Sequence, residues 1–277
     1  MTGSKNRLLV IWIMFGAFCA LFAALIVSAP ESAAGLAWLL LDAWVLVIDI
    51  IMLKRHGLPG KAGIRAACAL GALVLISYAD VSIASGKAQT FSLVTSPVLT
   101  VLSGFAAFSV FENHPEGALP LLKMGGARAV GVSTAVGLAA GLLWGALNYF
   151  LMKNNNTPVL NITAHCFLTA LSPAVLEELA MRTSFYAFCV SLMRGRERTF
   201  FEKFTCWTMM ILPHVLVHTP NAFISGGITG GLFTALMYVV LFGLIFAILQ
   251  KKRDIASAMT AHGVVDIIRF CFFGLPY

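Results

Sequence analysis

Charged residues are scarce in this chain of 277 residues, where Asp, Glu, Lys and Arg together make up 11%. A soluble domain carries about a quarter charged residues, so the shortage argues against an ordinary soluble fold. The hydrophobic residues, 59% of the chain, come in long blocks. Crossing a bilayer takes about 20 mostly apolar residues. The sequence therefore predicts an integral membrane protein.

Other chemical patterns are also missing. The six cysteines lie in or beside apolar segments and form no CxxC pair, which argues against a thiolate metal site and a disulfide framework. The chain contains no HExxH zinc motif. The net charge of +7 comes from short basic clusters between apolar blocks rather than from a basic stripe. We therefore expect a lipid bilayer, and no nucleic acid, as a partner.

Nine apolar segments predict an all-α fold of about eight or nine transmembrane helices. They cover roughly 8–28, 35–53, 64–85, 91–111, 129–152, 162–193, 204–222, 227–249 and 255–275. The sixth segment is too long for one straight span at about 1.5 Å per residue. Ser172 and Pro173 predict a helix that starts at Pro173 and ends near Met193. The stretch 160–171 is then interfacial or a separate short helix.

The basic residues predict the orientation of these helices. If the N-terminus is cytoplasmic, fifteen Lys and Arg residues lie in cytoplasmic connections and only Lys87 and Lys153 lie opposite. The fifteen are Lys5, Arg7, Lys54, Arg55, Lys61, Arg65, Lys123, Arg128, Arg194, Arg196, Arg198, Lys203, Lys251, Lys252 and Arg253. This asymmetry predicts a cytoplasmic N-terminus in a multi-pass protein of the cell membrane, the plasma or inner membrane if the source is bacterial.

Three acids lie inside the predicted spans of the N-terminal half, namely Asp42, Asp49 and Asp80. An Asp, Lys or Arg at the centre of a span costs about 2.5–3.5 kcal/mol on insertion scales. Asp42 and Asp49 are seven residues apart and share a helix face. These acids either form interhelical hydrogen bonds or line a proton or cation path. The chain shows no internal repeat of the kind found in transporters, which argues against the path.

A second polar group lies in the C-terminal third. Glu178 and Arg182 are spaced for an ion pair on one helix face. Glu177 points about 100° away from that pair and stays available as a general acid or base. The alternative is a buried structural salt bridge with a spare glutamate.

Four further residues have the same one-turn spacing. His214 and His218 suit two ligands of one metal, or one catalytic histidine with a helper. His262 and Asp266 suit an imidazole that is oriented by a carboxylate. Interhelical polar contacts are the structural alternative for both pairs. Three such pairs within about 90 residues favour chemistry.

Together these residues resemble a known motif set. They read Glu177-Glu178-x-x-x-Arg182, His214-x-x-x-His218 and His262-x-x-x-Asp266. Over roughly residues 160–270 the chain resembles the CPBP family, the CAAX proteases and bacteriocin-processing proteins, also called Abi, which includes the Rce1-type intramembrane proteases. We therefore distinguish a four-span region of unrecognised type, residues 1–127, from a CPBP-like core, residues 128–277.

The resemblance implies a role for each motif residue. Glu177 is implied as the general base on a water molecule, with His218 as its partner on that water. His262 is implied as the oxyanion donor, supported by Asp266. Glu178 and Arg182 are implied as a supporting pair.

Two positions depart from the commonest family pattern. The family usually has Phe where His214 stands, so His214 is a bystander, a helper or an extra metal ligand. Asp266 replaces the commoner Asn, and Asp donates to an oxyanion only when protonated. We favour a mechanism without a metal; the alternative is Zn²⁺ held by Glu177, His214, His218 and His262.

The sequence thus predicts an intramembrane endopeptidase. Its substrate is expected to be a membrane-associated or lipidated protein or peptide, hydrolysed by a water that glutamate and histidine activate. The alternative is a non-catalytic CPBP-type membrane scaffold or regulator, such as an immunity or signalling partner.

Overall fold

A computed structural model describes residues 2–86, 90–123, 125–154, 156–195 and 199–276, with side chains from residue 6 onward. These ranges form helices and no β-strand, which confirms the all-α membrane fold. The α-helices are α1 (Thr2–Ser28), α2 (Ala33–His56), α3 (Lys61–Ser85), α4 (Thr90–Asn113), α5 (Gly126–Lys153), α6 (Ala164–Thr169), α7 (Ser184–Met193), α8 (Phe200–Val217), α9 (Pro220–Tyr238), α10 (Leu244–Lys252) and α11 (Ile255–Phe273). Three π-helical turns cover Pro173–Glu177, Leu179–Thr183 and Val239–Gly243.

Seven helices among the described residues are long and apolar enough to cross a membrane. They are Asn6–Ser28, Pro30–His56, Lys61–Ser85, Thr90–Asn113, Gly126–Lys153, Pro220–Lys252 and Ile255–Phe273. The other two predicted segments, 162–193 and 204–222, are helical over most of their length as α6, the first two π-turns, α7 and α8. The exact number of spans and the cytoplasmic N-terminus stay predictions, and Lys87, Arg196 and Arg198 lie outside the described residues.

The chain divides into two compact units. The first unit comprises residues 1–64, 102–118 and 180–247, and the second comprises 65–101, 119–179 and 248–277. Each unit contains residues from both sides of the boundary predicted at residues 127 and 128. That functional division of the chain stays a prediction.

In the first unit, α8 begins with a reciprocal cap that the sequence pattern Thr199-x-x-Glu202 encodes. The Glu202 amide donates to the Thr199 hydroxyl at 3.2 Å, and the Thr199 amide donates to the Glu202 carboxylate at 2.8 Å. These bonds satisfy donors that a helix start would otherwise leave unpaired. The indole nitrogen of Trp12 donates to Thr205 at 3.0 Å, which ties α1 to the same end of α8. The N-terminal end of α8, the helix that carries His214 and His218, is therefore held on two sides.

In the second unit, α5 packs closely along α11 through a row of three glycines at intervals of four residues. A Cβ on Gly137 would lie 2.5 Å from the Cβ of Thr260, and one on Gly141 would lie 2.6 Å from the Cβ of Val264. A Cβ on Gly145 would overlap the side chain of Ile268. Small residues at this spacing let helix backbones approach within the membrane. The row thus sets the position of α11.

The start of α11 is fixed by a buried aspartate. Asp254 caps the helix by accepting from the Ser257 amide at 2.9 Å, and it also accepts from the Ser133 hydroxyl at 2.6 Å and the Lys123 amide at 3.2 Å. Burial raises the pKa of this carboxyl, but the donated hydrogen bonds outweigh burial and hold the pKa below its ordinary value. Asp254 therefore anchors α11 as a carboxylate.

Helix α3 supports the segment that leads into Glu177. The Ser77 hydroxyl donates to the Thr169 carbonyl at 2.9 Å and accepts from the Ser172 amide at 3.1 Å. One turn further on, Asp80 lies 2.8 Å from Nδ1 of His165. These contacts give an N-terminal helix a role in positioning the predicted catalytic segment.

Candidate active site

The segment with both predicted glutamates is helical, but much of it is wound more widely than an α-helix. The chain is helical from Pro173 to Met193 as predicted, but the helix already includes Leu171 and Ser172, so the predicted start at Pro173 is wrong; the predicted short helix before it is α6. Ser172 has helical dihedral angles, φ −64° and ψ −58°, so it is not the predicted cap. The turns Pro173–Glu177 and Leu179–Thr183 are π-helical. One-turn spacing in sequence therefore does not place side chains here as it does on an α-helix, and such bulges are frequent at functional sites.

His262 lies among three carboxylates in the second unit. Its Nδ1 lies 2.9 Å from Oε1 of Glu178, a hydrogen bond between buried groups. Its Nε2 lies 3.6 Å from Oε2 of Glu177 and 3.5 Å from Oδ2 of Asp266. Four of the sequence-predicted residues thus meet around one imidazole. Since a carboxylate only accepts, Nδ1 carries a proton toward Glu178 and Nε2 faces the other two acids.

This arrangement changes the part that Glu178 and Asp266 were expected to play. We expected the carboxylate of Asp266 to orient His262, whereas the short hydrogen bond runs from Nδ1 of the ring to Glu178. Asp266 instead lies beside the same nitrogen that approaches Glu177. The side chain of Glu177 is 15% exposed and that of Glu178 is fully buried, so Glu177 is the more accessible of the two.

Gln250, near the end of α10, is part of this cluster and was missed in the sequence. Its side-chain nitrogen donates to Oε2 of Glu178 at 2.8 Å and to the backbone carbonyl of Glu178 at 3.0 Å. Gln250 is completely buried. The signal available in the sequence is a lone amide at the end of an apolar run, directly before Lys251.

Arg182, in the first unit, is 1% exposed and binds groups of that unit. Its guanidinium donates to the carbonyls of Met210 and Gly243 at 3.4 and 3.3 Å, and to Nδ1 of His214 at 3.1 Å. The Gly243 carbonyl belongs to the third π-turn. The predicted pair of Arg182 with Glu178 stays a prediction.

His214 connects Arg182 to His218. The Nε2 atoms of His214 and His218 lie 3.1 Å apart, and Trp38 packs edge-on against His218 with ring centroids 4.9 Å apart. His214 is 5% exposed, and His218 is exposed at the end of α8. His214 is therefore in direct contact with both motif residues of its unit.

The separation of the same two nitrogens matches that of two zinc ligands, but Nδ1 of His214 accepts from Arg182, so the neutral ring carries its proton on Nε2 and has no lone pair there for a metal. Two nitrogens at about 2.0 Å from a tetrahedral zinc ion lie about 3.3 Å apart, close to the separation of the two Nε2 atoms. A catalytic zinc takes three protein ligands, so binding through His214 and His218 would need a further ligand and the release of His214 from Arg182. The larger predicted set with Glu177 and His262 stays a prediction.

The N-terminal acids fall into two separate settings. Asp49 is fully buried in the first unit and accepts a hydrogen bond from Ser103. Asp42 is half-buried in the same unit. Asp80 belongs to the second unit, where it binds His165 and accepts from Thr169 at 3.4 Å. These hydrogen bonds favour the structural interpretation for Asp49 and Asp80.

Fold and site together define a multi-pass membrane protein whose helices bury carboxylates around a histidine. The family model of type II CAAX prenyl endopeptidase Rce1-like proteins matches residues 158–268. Over this segment the chain is similar to the Rce1-like proteases, and the resemblance predicted from the three motifs is confirmed. No curated protein and no solved structure matches the chain.

Proposed function

We propose that this protein is an intramembrane endopeptidase that hydrolyses a peptide bond of a membrane-associated or lipidated protein or peptide. The observation that carries the proposal is the setting of His262, with Glu178 on one ring nitrogen and the half-buried Glu177 near the other. Glu177 can act as the general base and His262 as the hydrogen-bond donor, and these are the two groups that peptide hydrolysis by water requires.

The proposed reaction begins with Glu177 taking a proton from a water molecule. The water oxygen then bonds to the carbonyl carbon, and the oxygen of the tetrahedral intermediate becomes negative. His262, when protonated at Nε2, donates to this oxyanion, while Glu178 holds the other side of the ring. Such a donor is worth about 2.7–4 kcal/mol of transition-state stabilisation. The carbon–nitrogen bond breaks as Glu177 passes its proton to the departing amine.

Asp266 and His218 have supporting parts in this proposal. Asp266 lies 3.5 Å from Nε2 of His262, where it favours the protonated form that donates to the oxyanion. The resemblance implies that His218 is the second group on the water. In the alternative, His214 and His218 would hold Zn²⁺ once His214 is released from Arg182, and the ion would supply a polarised water at neutral pH.

The family name suggests the first substrate to test. The matching family is that of CAAX prenyl endopeptidases. A quenched fluorescent peptide that ends in a CAAX box, with and without a farnesyl group on its cysteine, is the appropriate probe. We expect the purified protein to cleave the probe in proteoliposomes. If it cleaves only the farnesylated peptide and not the unmodified one, its substrates are lipidated.

The mechanism is tested with Glu177→Gln, which keeps the shape of the side chain and removes the base. Glu31→Gln, at an exposed acid outside the site, is the matched control. Cleavage should be lost in the first variant and unchanged in the second, with equal thermal unfolding temperatures. Undiminished cleavage by Glu177→Gln would refute the mechanism.

A non-catalytic scaffold and a protease predict different results when a catalytically inactive variant is expressed in cells. A His218→Ala/His262→Ala double variant should fail to complement a deletion strain if hydrolysis is the function. Full complementation by that variant would favour the non-catalytic alternative. Metal analysis of the purified protein separates the two water-activation schemes, because a zinc mechanism needs about one ion per chain, held through His214 and His218.

A further inference from the structure

We propose that Gln250 is a positioning residue of this site, one that holds Glu178 so that His262 presents a single orientation to the reacting groups. The inference rests on the proposed function for its catalytic consequence. Its structural part concerns only contacts within the second unit. Gln250 lies outside the three motifs that revealed the site.

The first step is the way the amide of Gln250 is used. Gln250 is 0% exposed, and its NH₂ group donates both to the carboxylate and to the backbone carbonyl of Glu178. A buried amide without partners is costly in a low-dielectric interior. Here two donated hydrogen bonds converge on one residue, so Gln250 fixes both the main chain and the side chain of Glu178.

The second step is the division of the two carboxylate oxygens of Glu178. Oε2 accepts from Gln250 at 2.8 Å, and Oε1 lies 2.9 Å from His262. A carboxylate with different donors on its two oxygens cannot rotate without breaking one of the bonds. Because the amide of Gln250 is neutral, it orients the carboxylate without cancelling the charge that acts on His262.

The third step concerns the ring of His262. Its Nδ1 must carry a proton to donate to Glu178, so the position of Glu178 selects the tautomer and the tilt of the ring. That choice directs Nε2 toward Glu177 and Asp266, the side on which the proposed chemistry takes place. Loss of the Gln250 amide would leave the ring in place but would make its orientation variable.

The test replaces the donor while keeping the volume. Gln250→Met removes both hydrogen bonds, and Leu249→Met on the same helix is the matched control for repacking. We expect kcat for the fluorescent peptide to fall about 10-fold to 100-fold with little change in KM, as is usual when a supporting hydrogen bond is lost. The control should keep the wild-type kcat and KM.

Gln250→Glu gives a readout that a purely structural role would not change. The new carboxyl donates to Glu178 only when it is protonated, and it repels Glu178 when it is ionised. Activity relative to the wild type should therefore rise as the pH is lowered in this variant. A constant ratio across the pH range would contradict the proposal.

A spectroscopic measurement keeps this inference separate from the proposed function. In protein labelled with ¹⁵N-histidine, the signals that disappear in His262→Gln belong to His262. We expect a protonated Nδ1 with a single sharp signal in the wild type, and a shifted or broadened Nδ1 signal in Gln250→Met because the ring orientation varies. An inactive wild type with these spectra would refute the peptidase proposal and support the positioning of His262.

An active wild type with unchanged spectra and kcat in Gln250→Met would overturn the inference about Gln250. The double variant Glu178→Gln/Gln250→Met completes the test. Because Gln250 acts through Glu178, the double variant should be no slower than Glu178→Gln alone. Additive losses would refute action through Glu178.

Discussion

Replacing Gly141 by alanine tests whether the close approach of α5 and α11 sets the geometry of the site. The added Cβ would lie 2.6 Å from the Cβ of Val264 and 2.8 Å from the backbone oxygen of Ala261. Ordinary contacts between carbon atoms are about 3.5–4.0 Å, so the helices must separate locally by about 1 Å. Both neighbours belong to α11, and Ala261 precedes His262.

The expected cost has two opposing parts. Overpacking of this kind costs about 1–3 kcal/mol, whereas alanine gains about 1 kcal/mol over glycine inside a helix. Gly131→Ala, also in α5, has open space around its new Cβ, so this variant shows the gain from helix propensity without the overpacking. We therefore expect Gly141→Ala to be less stable than Gly131→Ala by about 1–3 kcal/mol in detergent unfolding.

The effect on catalysis should exceed the effect on stability. A displacement of catalytic groups by about 1 Å can cost about 10²-fold in rate. The hydrogen bond between His262 and Glu178, 2.9 Å long, would stretch beyond hydrogen-bonding distance if α11 moved by that amount along it. Peptide cleavage should therefore drop in Gly141→Ala and stay at the wild-type rate in Gly131→Ala. Equal stability and equal activity of the two variants would refute the reasoning.

Three further predictions concern other contacts. Ser77→Ala should lower the free energy of unfolding by about 1–3 kcal/mol, because the buried amide of Ser172 loses its partner; Cys68→Ala, at an exposed position of the same helix, serves as a comparison. The lowered pKa of Asp254 stabilises the fold above the ordinary carboxyl pKa of about 4, and this stability should be lost as the pH falls through the still lower folded-state pKa. The unfolding temperature of Asp254→Asn should therefore not show this fall at acid pH. If the variant loses as much stability in acid as the wild type, the prediction is wrong. His214→Phe should keep peptidase activity but unfold at a lower temperature, because Arg182 loses an acceptor; joint loss of activity and bound zinc would instead support a metal site.

The motif residues could be predicted from the sequence because their chemistry is local. Buried charge at helical spacing identified Glu177, Glu178, His262 and Asp266, and the second unit brings these four together. Their detailed roles could not be predicted from spacing on an ideal α-helix. The π-turns around Glu177 change which side chains share a face, and no residue pattern announced them.

Other features depended on contacts between distant parts of the chain. Gln250 lies 72 residues from Glu178, so its role in the site could not be read from local spacing. The glycine row of α5, in contrast, is visible in the sequence as small residues four positions apart. The sequence does not show that α11 is the helix that packs against it. Likewise, the spacing Thr199-x-x-Glu202 announces the start of α8, whereas the contact of Trp12 with that helix end required the fold.

Hydrogen-bond logic within each unit shows what the unusual histidine at position 214 does. A guanidinium only donates, so His214 accepts from Arg182 at Nδ1 and carries its own proton on Nε2 when neutral. It then donates to Nε2 of His218, which must hold its proton on Nδ1. His262 has the opposite partner, because a carboxylate only accepts and the donation runs from Nδ1 of the ring to Glu178. A buried cation thus sets the tautomer of one motif histidine through an intermediate ring, and a buried anion sets the tautomer of the other directly. Phenylalanine at position 214 would remove the first of these controls and leave the second intact, so the two histidines should respond independently to that substitution.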